Sequence, residues 1–155
     1  MATQNELKKQ VAQAALELLP KSGVIGIGTG STINAFIPLL QSQKQEDRVF
    51  VASSASTEKI LKQYGCPCIT FNEASTIDFY IDGADEITRQ GLCIKGQGGA
   101  LTREKILAQA ASTFLCLVDE SKVVDYLGQK SPLPIEVLHF SRTAVARQCV
   151  ALGGQ

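Results

Sequence analysis

"GVIGIGTGST", residues 23–32, is an apolar run that ends abruptly in glycines and hydroxyl side chains. Val24, Ile25 and Ile27 leave no polar face, so a strand here is buried on both sides. Ahead of it, Leu7, Val11, Ala14, Ala15 and Leu18 recur at helical spacing and predict an amphipathic helix over residues 5–19. Behind it, a helix is expected over residues 31–43, kinked at Pro38. The strand texture returns in "RVFVAS" (48–53), "TIDFYID" (76–82) and "TFLCLVD" (113–119). Between these lie two helical stretches, "STEKILKQYG" (56–65) and "GGALTREKILAQAA" (98–111). Ser56 or Thr57 is expected to cap the first, and Gly65 to close it. "CPCITF" (66–71) is β-rich, and "GLCIK" (91–95) is a shorter strand candidate.

Wholly apolar strands alternating with helices predict an α/β fold: a Rossmann-like, largely parallel sheet with helices on both faces. In such sheets ligands bind beyond the carboxyl ends of the strands. Those ends here are Gly28-Thr29-Gly30-Ser31-Thr32, Ser53-Ser54, Asp82-Gly83-Ala84-Asp85-Glu86 and Asp119, all polar or glycine-rich. After Gly128 the texture changes. "SPLPIEVLHF" reads as a strand entered through two prolines, and "SRTAVARQCVALGG" as a helix with Val145, Cys149 and Leu152 on one face. The division expected is one domain over residues 1–130 and a second unit beginning at 131–155.

With 155 residues and no net charge, the chain is long enough for one real core, and its charge balance argues against nucleic acid or an anionic membrane as partner. No apolar run reaches the ~18 residues of a membrane span, and "MATQNELKKQ" lacks the apolar centre of a signal peptide. A cytoplasmic location is therefore expected. Cys93, Cys116 and Cys149 lie in apolar segments, where a reduced, buried thiol is expected, and Cys66 and Cys68 have no second pair to complete a zinc site. His139 is the only histidine, which further weakens a metal reading.

"GIGTGST" fails as a dinucleotide fingerprint, because Ser31 stands at the third glycine position, and as a Walker loop, because Thr29 stands where lysine is required. What remains is either a strand–turn–helix suited to one phosphate, with Gly28 and Gly30 freeing amides, or a plain tight turn. In "DGADE", Asp82 and Asp85 flank a Gly83-Ala84 turn and read as proton carriers, metal ligands or caps, with Glu86 facing solvent. In "IKGQGGALTREK" (94–105), Lys95 ends a strand and Gly96 to Gly99 allow close approach of backbone to a ligand. Glu104 follows one turn into a helix. It is either a first-turn carboxylate stabilising its helix or a base whose pKa burial has raised.

Taken in order, "GIGTGST", "ASTEK", "DGADE", "KGQGGALTREK" and "DESK" resemble the ribose-5-phosphate isomerases of the A type, as do "SPLPIEV" and "RQCVALGG". The resemblance implies an aldose–ketose isomerase of the pentose phosphate pathway that interconverts ribose 5-phosphate and ribulose 5-phosphate through an enediolate, without cofactor or metal. It implies Glu104 as general base, with Asp82 and Asp85 linked to ring opening and hydroxyl proton transfer. Lys95 and the Gly96-Gln97-Gly98 backbone then line the site and steady oxyanion charge. Thr29, Gly30, Ser31 and Thr32, with Lys122 and Lys8, match phosphate-binding positions, and Gly83 and Ala84 belong to the substrate-binding turn. Gln97 departs from a frequent family glycine and is expected to narrow the loop. The family continues for about another third of its length, completing a small α+β domain and contributing to subunit contacts, so this chain is expected to be a fragment, and a homodimer when full length. The alternative is a sugar-phosphate-sensing domain of related fold without catalysis, against which Asp82, Asp85, Lys95 and Glu104 stand together.

Overall fold

The structure is a computed structural model that describes residues 3–43 and 47–154. Its centre is a parallel sheet of four strands in the order β2-β1-β3-β6: β1 Ser22–Ile27, β2 Asp47–Ala52, β3 Ile77–Gly83 and β6 Ala111–Leu117. The chain leaves β1 for β2 on one side and then returns to β3 on the other. The ends of β1 and β3 therefore form a switch point, where a crevice opens in an α/β sheet.

Helices cover both faces. Helix α1 (Gln4–Glu17) brings Ala12, Ala15 and Leu16, and α2 (Ser31–Phe36) brings Ile33 and Phe36, against Ile25, Ile27 and Ile81. Leu61 of α3 (Ala55–Gln63) joins the same core. On the other face, Leu107 of α4 (Leu101–Ala110) packs with Val51, Ile77 and Tyr80. Among the described residues no helix is long and apolar enough to cross a membrane.

A second, small sheet sits at the mouth of the crevice, with β4 (Glu86–Thr88) between β5 (Cys93–Ile94) and β7 (Val123–Val124). Strands β4 and β5 are antiparallel, and Asp85 N–H donates to Ile94 O at 2.8 Å. That hairpin turns Lys95 back over the end of β3.

Several expectations need correction. The helix after Ser31 stops at Phe36 and continues as a 3-10 helix over Ile37–Gln43, because Pro38 supplies no amide for the α-helical ladder. The cap of α3 is Ser54, whose Oγ accepts from Thr57 N–H at 3.2 Å, while Thr57 Oγ1 donates to Gly28 O at 2.8 Å. "CPCITF" contributes only the isolated bridge Phe50–Cys68. Residues 131–138 form no strand: Pro132 and Pro134 cannot donate, and no strand among the described residues pairs with the segment. It is held instead by two carboxylates. Glu136 accepts from the N–H and hydroxyl of Thr102 at the start of α4. Glu86, expected in solvent, is fully buried and accepts from the backbone N–H groups of Gly128 (2.7 Å), Ser131 (2.5 Å) and Lys130. Burial pushes its carboxyl up, but those amides outweigh burial and hold it below the usual carboxylate value. Helix α5 (Arg142–Ala151) follows as expected. Cys66 is buried as a small apolar residue, whereas Cys68, Cys93, Cys116 and Cys149 are only half-buried, with burial raising Cys116 to about 12.

Candidate active site

The crevice at the switch point is a cavity of about 250 Å3 with unlike ends. One end is lined by Thr29, Gly30, Ser31 and Thr32, together with Gln4 and Lys8 from α1 and Lys122. The other end is lined by Gly83, Ala84, Asp85, Lys95, Gly96, Gly98 and Glu104. Five stretches far apart in sequence therefore meet at one opening.

At the first end, Gly30 caps α2 with φ +120°, a conformation open to glycine, and offers the helix start no side-chain cap. The first-turn amides point out of the helix end, as in any α-helix. Thr29 Oγ1 is turned inward, sharing a hydrogen bond with Ser53 Oγ (2.8 Å) and donating to Ser54 Oγ (2.9 Å). Ser31 and Thr32 remain on the cavity wall. Lys122 ends a short 3-10 turn, Glu120–Lys122, whose cap Asp119 accepts from Ser121 N–H at 2.9 Å. Hydroxyls, helix-start amides and two lysines suit a dianionic group.

Gly26 and Gly28 have a different purpose from the one their motif suggests. The Gly28 N–H is not free; it donates to Ile81 O at 2.7 Å. A Cβ on Gly28 would lie 2.0 Å from Asp82 Cγ, and one on Gly26 2.7 Å from Tyr80 Cδ2. Gly26 within β1 and Gly28 just beyond its end hollow out the sheet face so that Tyr80 and Asp82 of β3 can lie across it, beneath α4.

Asp82 is fully buried and anchors the second end. Its Oδ1 accepts from the N–H groups of Thr29 (3.1 Å) and Gly83 (2.8 Å), and its Oδ2 from Tyr80 Oη (2.7 Å) and Lys95 Nζ (2.7 Å). Lys95 also donates to Gly83 O at 2.6 Å and stands 3.3 Å from Glu104 Oε2. Glu104 is 3% exposed, so its carboxylate meets the cavity and almost no bulk water. Burial first and the Asp82 charge second push its pKa up, Lys95 pulls it down, and the net is upward. Burial presses the Lys95 ammonium down, but Asp82 and then Glu104 outweigh it and keep it firmly charged. A carboxylate ready to exchange a proton beside a fixed ammonium can move a proton while an oxyanion forms nearby.

A profile described as ribose 5-phosphate isomerase A (phosphoriboisomerase A) matches residues 49–155. Ribose-5-phosphate isomerase A of Haemophilus ducreyi is 53% identical over 152 residues, which is 98% of this chain and 69% of the relative. The chain belongs to the ribose 5-phosphate isomerase A family. Among solved members, the enzyme of Neisseria gonorrhoeae superposes with a TM-score of 0.96 at 45% identity, over all of this chain and 69% of that one. A second, solved in complex with phospho-erythronic acid, gives 0.93 at 39% identity over 97% of this chain and 67% of its own. eIF2B delta of Chaetomium thermophilum, at 11% identity and a TM-score of 0.59, shares the fold alone.

Within this family member, the cavity gathers nearly every residue singled out in the sequence. Two stand apart. Asp82 lies behind Lys95 and does not line the opening, and Gln97 is exposed, with its N–H holding Asp85 Oδ2 at 3.1 Å. The Gln97 side chain is thus outside the cavity wall and does not narrow it. Sequence reasoning missed Gln4 and Tyr80. Gln4 carries no motif, but Tyr80 had a readable signal: a polar aromatic tip in an apolar strand, two residues before Asp82 and on its face.

Proposed function

We propose that this chain interconverts ribose 5-phosphate and ribulose 5-phosphate, in the non-oxidative branch of the pentose phosphate pathway, with Glu104 as the base. The observation that carries the reading is a buried carboxylate of raised pKa, 3.3 Å from the Lys95 ammonium, in a cavity whose far end collects hydroxyls and lysines. Ser31, Thr32, the amides at the start of α2, Lys8 and Lys122 hold the phosphate. Glu104 takes the C2 proton of the open-chain aldose, and the C1–C2 double bond forms as the carbonyl electrons move to O1. Lys95 and the Gly96–Gly98 backbone face the resulting enediolate charge. Asp85 carries the hydroxyl proton from O2 to O1, and Glu104 returns its proton at C1. Asp82 acts as a positioning residue that holds Lys95. Phospho-erythronic acid, the ligand of one solved relative, joins a phosphate to a carboxylate, a charge pattern suited to the two ends of this cavity.

Residues 1–130 carry this chemistry, and 131–155 belong to a small α+β unit. A cytoplasmic homodimer is the working form in this reading. Exposed apolar side chains at Leu133, Ile135, Leu138, Phe140 and Leu152 support a further contact there. A sensing domain without catalysis is less favoured, because it would have no use for a dry base beside Lys95.

Ligand chemistry gives a direct test. A ligand stabilises by binding the native state, so ribose 5-phosphate is expected to raise Tm and free ribose at equal concentration is not. Equal shifts with both sugars would remove the phosphate end from the reading.

A further inference from the structure

Tyr80 is fully buried, yet it keeps a hydroxyl inside a core that otherwise holds Val51, Ile77 and Leu107. Phenylalanine would fill the same volume, and the ring already stacks on Phe114 with centroids 5.5 Å apart. The hydroxyl is not idle: it donates to Asp82 Oδ2 at 2.7 Å, the same oxygen that receives Lys95 Nζ at 2.7 Å. The sheet makes room for this arrangement at the cost of two side chains, since a Cβ at either Gly26 or Gly28 would strike Tyr80 or Asp82.

We infer that Tyr80 is a positioning residue of the isomerase site: its hydroxyl shares Asp82 Oδ2 with Lys95 and thereby sets how closely the ammonium faces Glu104. The inference rests on the reading of Glu104 as base, and it can fail separately from it. Asp82 has two oxygens and four donors, so each donor limits the pull of the others. With the Tyr80 hydroxyl gone, Oδ2 retains only Lys95, and the ammonium is drawn toward Asp82 and away from Glu104. The Asp82 charge is also less dispersed. Both changes make Glu104 harder to ionise. The charged groups facing this point are Asp82 from β3, Lys95 after β5, Glu104 from α4 and Asp85 from the turn after β3, and the substitution adds no new one.

Tyr80→Phe keeps the ring and removes only the donor. The acid limb of kcat/KM is expected to move to higher pH by about half to one unit, less than the roughly one to two units that one hydrogen bond to a charged group is worth, because the change reaches Glu104 only through Asp82 and Lys95. KM near the optimum should stay within about twofold, because the phosphate contacts are untouched. As a second measurement, 3-fluorotyrosine placed at position 80 keeps the hydroxyl as a stronger donor and should move the limb the other way. The Glu104 carboxyl is also titrated by carbon NMR, with its signal assigned by loss in Glu104→Gln. That titration follows Glu104 whether or not it is the base, so failure of the base reading shows in Glu104→Gln turnover alone. A Tyr80→Phe protein that merely melts earlier, with the Glu104 titration and the limb unmoved, would overturn the proposal. If that variant fails to fold, an unmoved titration with 3-fluorotyrosine would do the same.

Discussion

Glu104 stands where two tendencies oppose each other. The start of a helix favours its ionised form, whereas burial and the Asp82 charge favour the protonated one, and the balance raises its pKa above the ordinary 4.5. A base works only when ionised, so kcat/KM should fall on acidification through this raised value, with the acid limb above pH 4.5. A limb at or below that pH, measured with saturating coupling enzyme, would contradict the assignment. The same shift has a fixed sign in stability: the contribution of this group is full below its unfolded pKa and is lost as pH rises through its folded one. The position of Glu104, one turn into a helix after a glycine loop, was legible in the sequence. Its dryness was not, because that depends on Asp82 and Lys95 arriving from other strands. Glu86 makes the same point in reverse, since the amides that bury it come from residues 128–131.

Strand β1 is an element whose sequence was read correctly for its shape and incompletely for its glycines. Apolar continuity gave the buried strand, but the hollow at Gly26 and Gly28 answers to side chains of β3 that no local pattern reveals. Gly28→Ala should force Asp82 aside, costing about 1–3 kcal/mol as overpacking does, and loosening Lys95 enough to lower kcat as well. Gly98→Ala is the contrast, because its Cβ meets nothing within 4 Å and no positive φ is involved. Its stability should match wild type. Equal melting temperatures for Gly28→Ala and wild type, with equal kcat, would refute the packing account. Helix α1 was legible for the opposite reason, since Leu7, Val11 and Ala15 declare its face within one segment. The short strands β4 and β7 were not, because three and two residues carry too little pattern and are defined by their partners. Residues 131–138 mislead in the same way, having β-like composition but, among the described residues, no strand that pairs with them.

At the scale of the molecule, the topology delivers the chemistry. Turning from β2 to β3 past β1 opens the crevice, Lys8 of α1 and Lys122 furnish its cationic end, and α4 lowers Glu104 over the other end. The parallel sheet and its ligand edge followed from alternating strands and helices alone. The family motifs added which residues meet there, and only the folded arrangement ranks them, with Asp82 behind Lys95 and Glu104 at the wall. Because the two ends of the cavity are built from separate segments, binding and proton transfer should be separable. The decisive measurement is steady-state turnover of ribose 5-phosphate by Glu104→Gln, in which size and hydrogen-bonding shape are kept and proton transfer is lost. The expected result is a kcat lower by ~10²–10⁴-fold with KM little changed; a normally folded variant with kcat near wild type would contradict the assignment of Glu104 as the base.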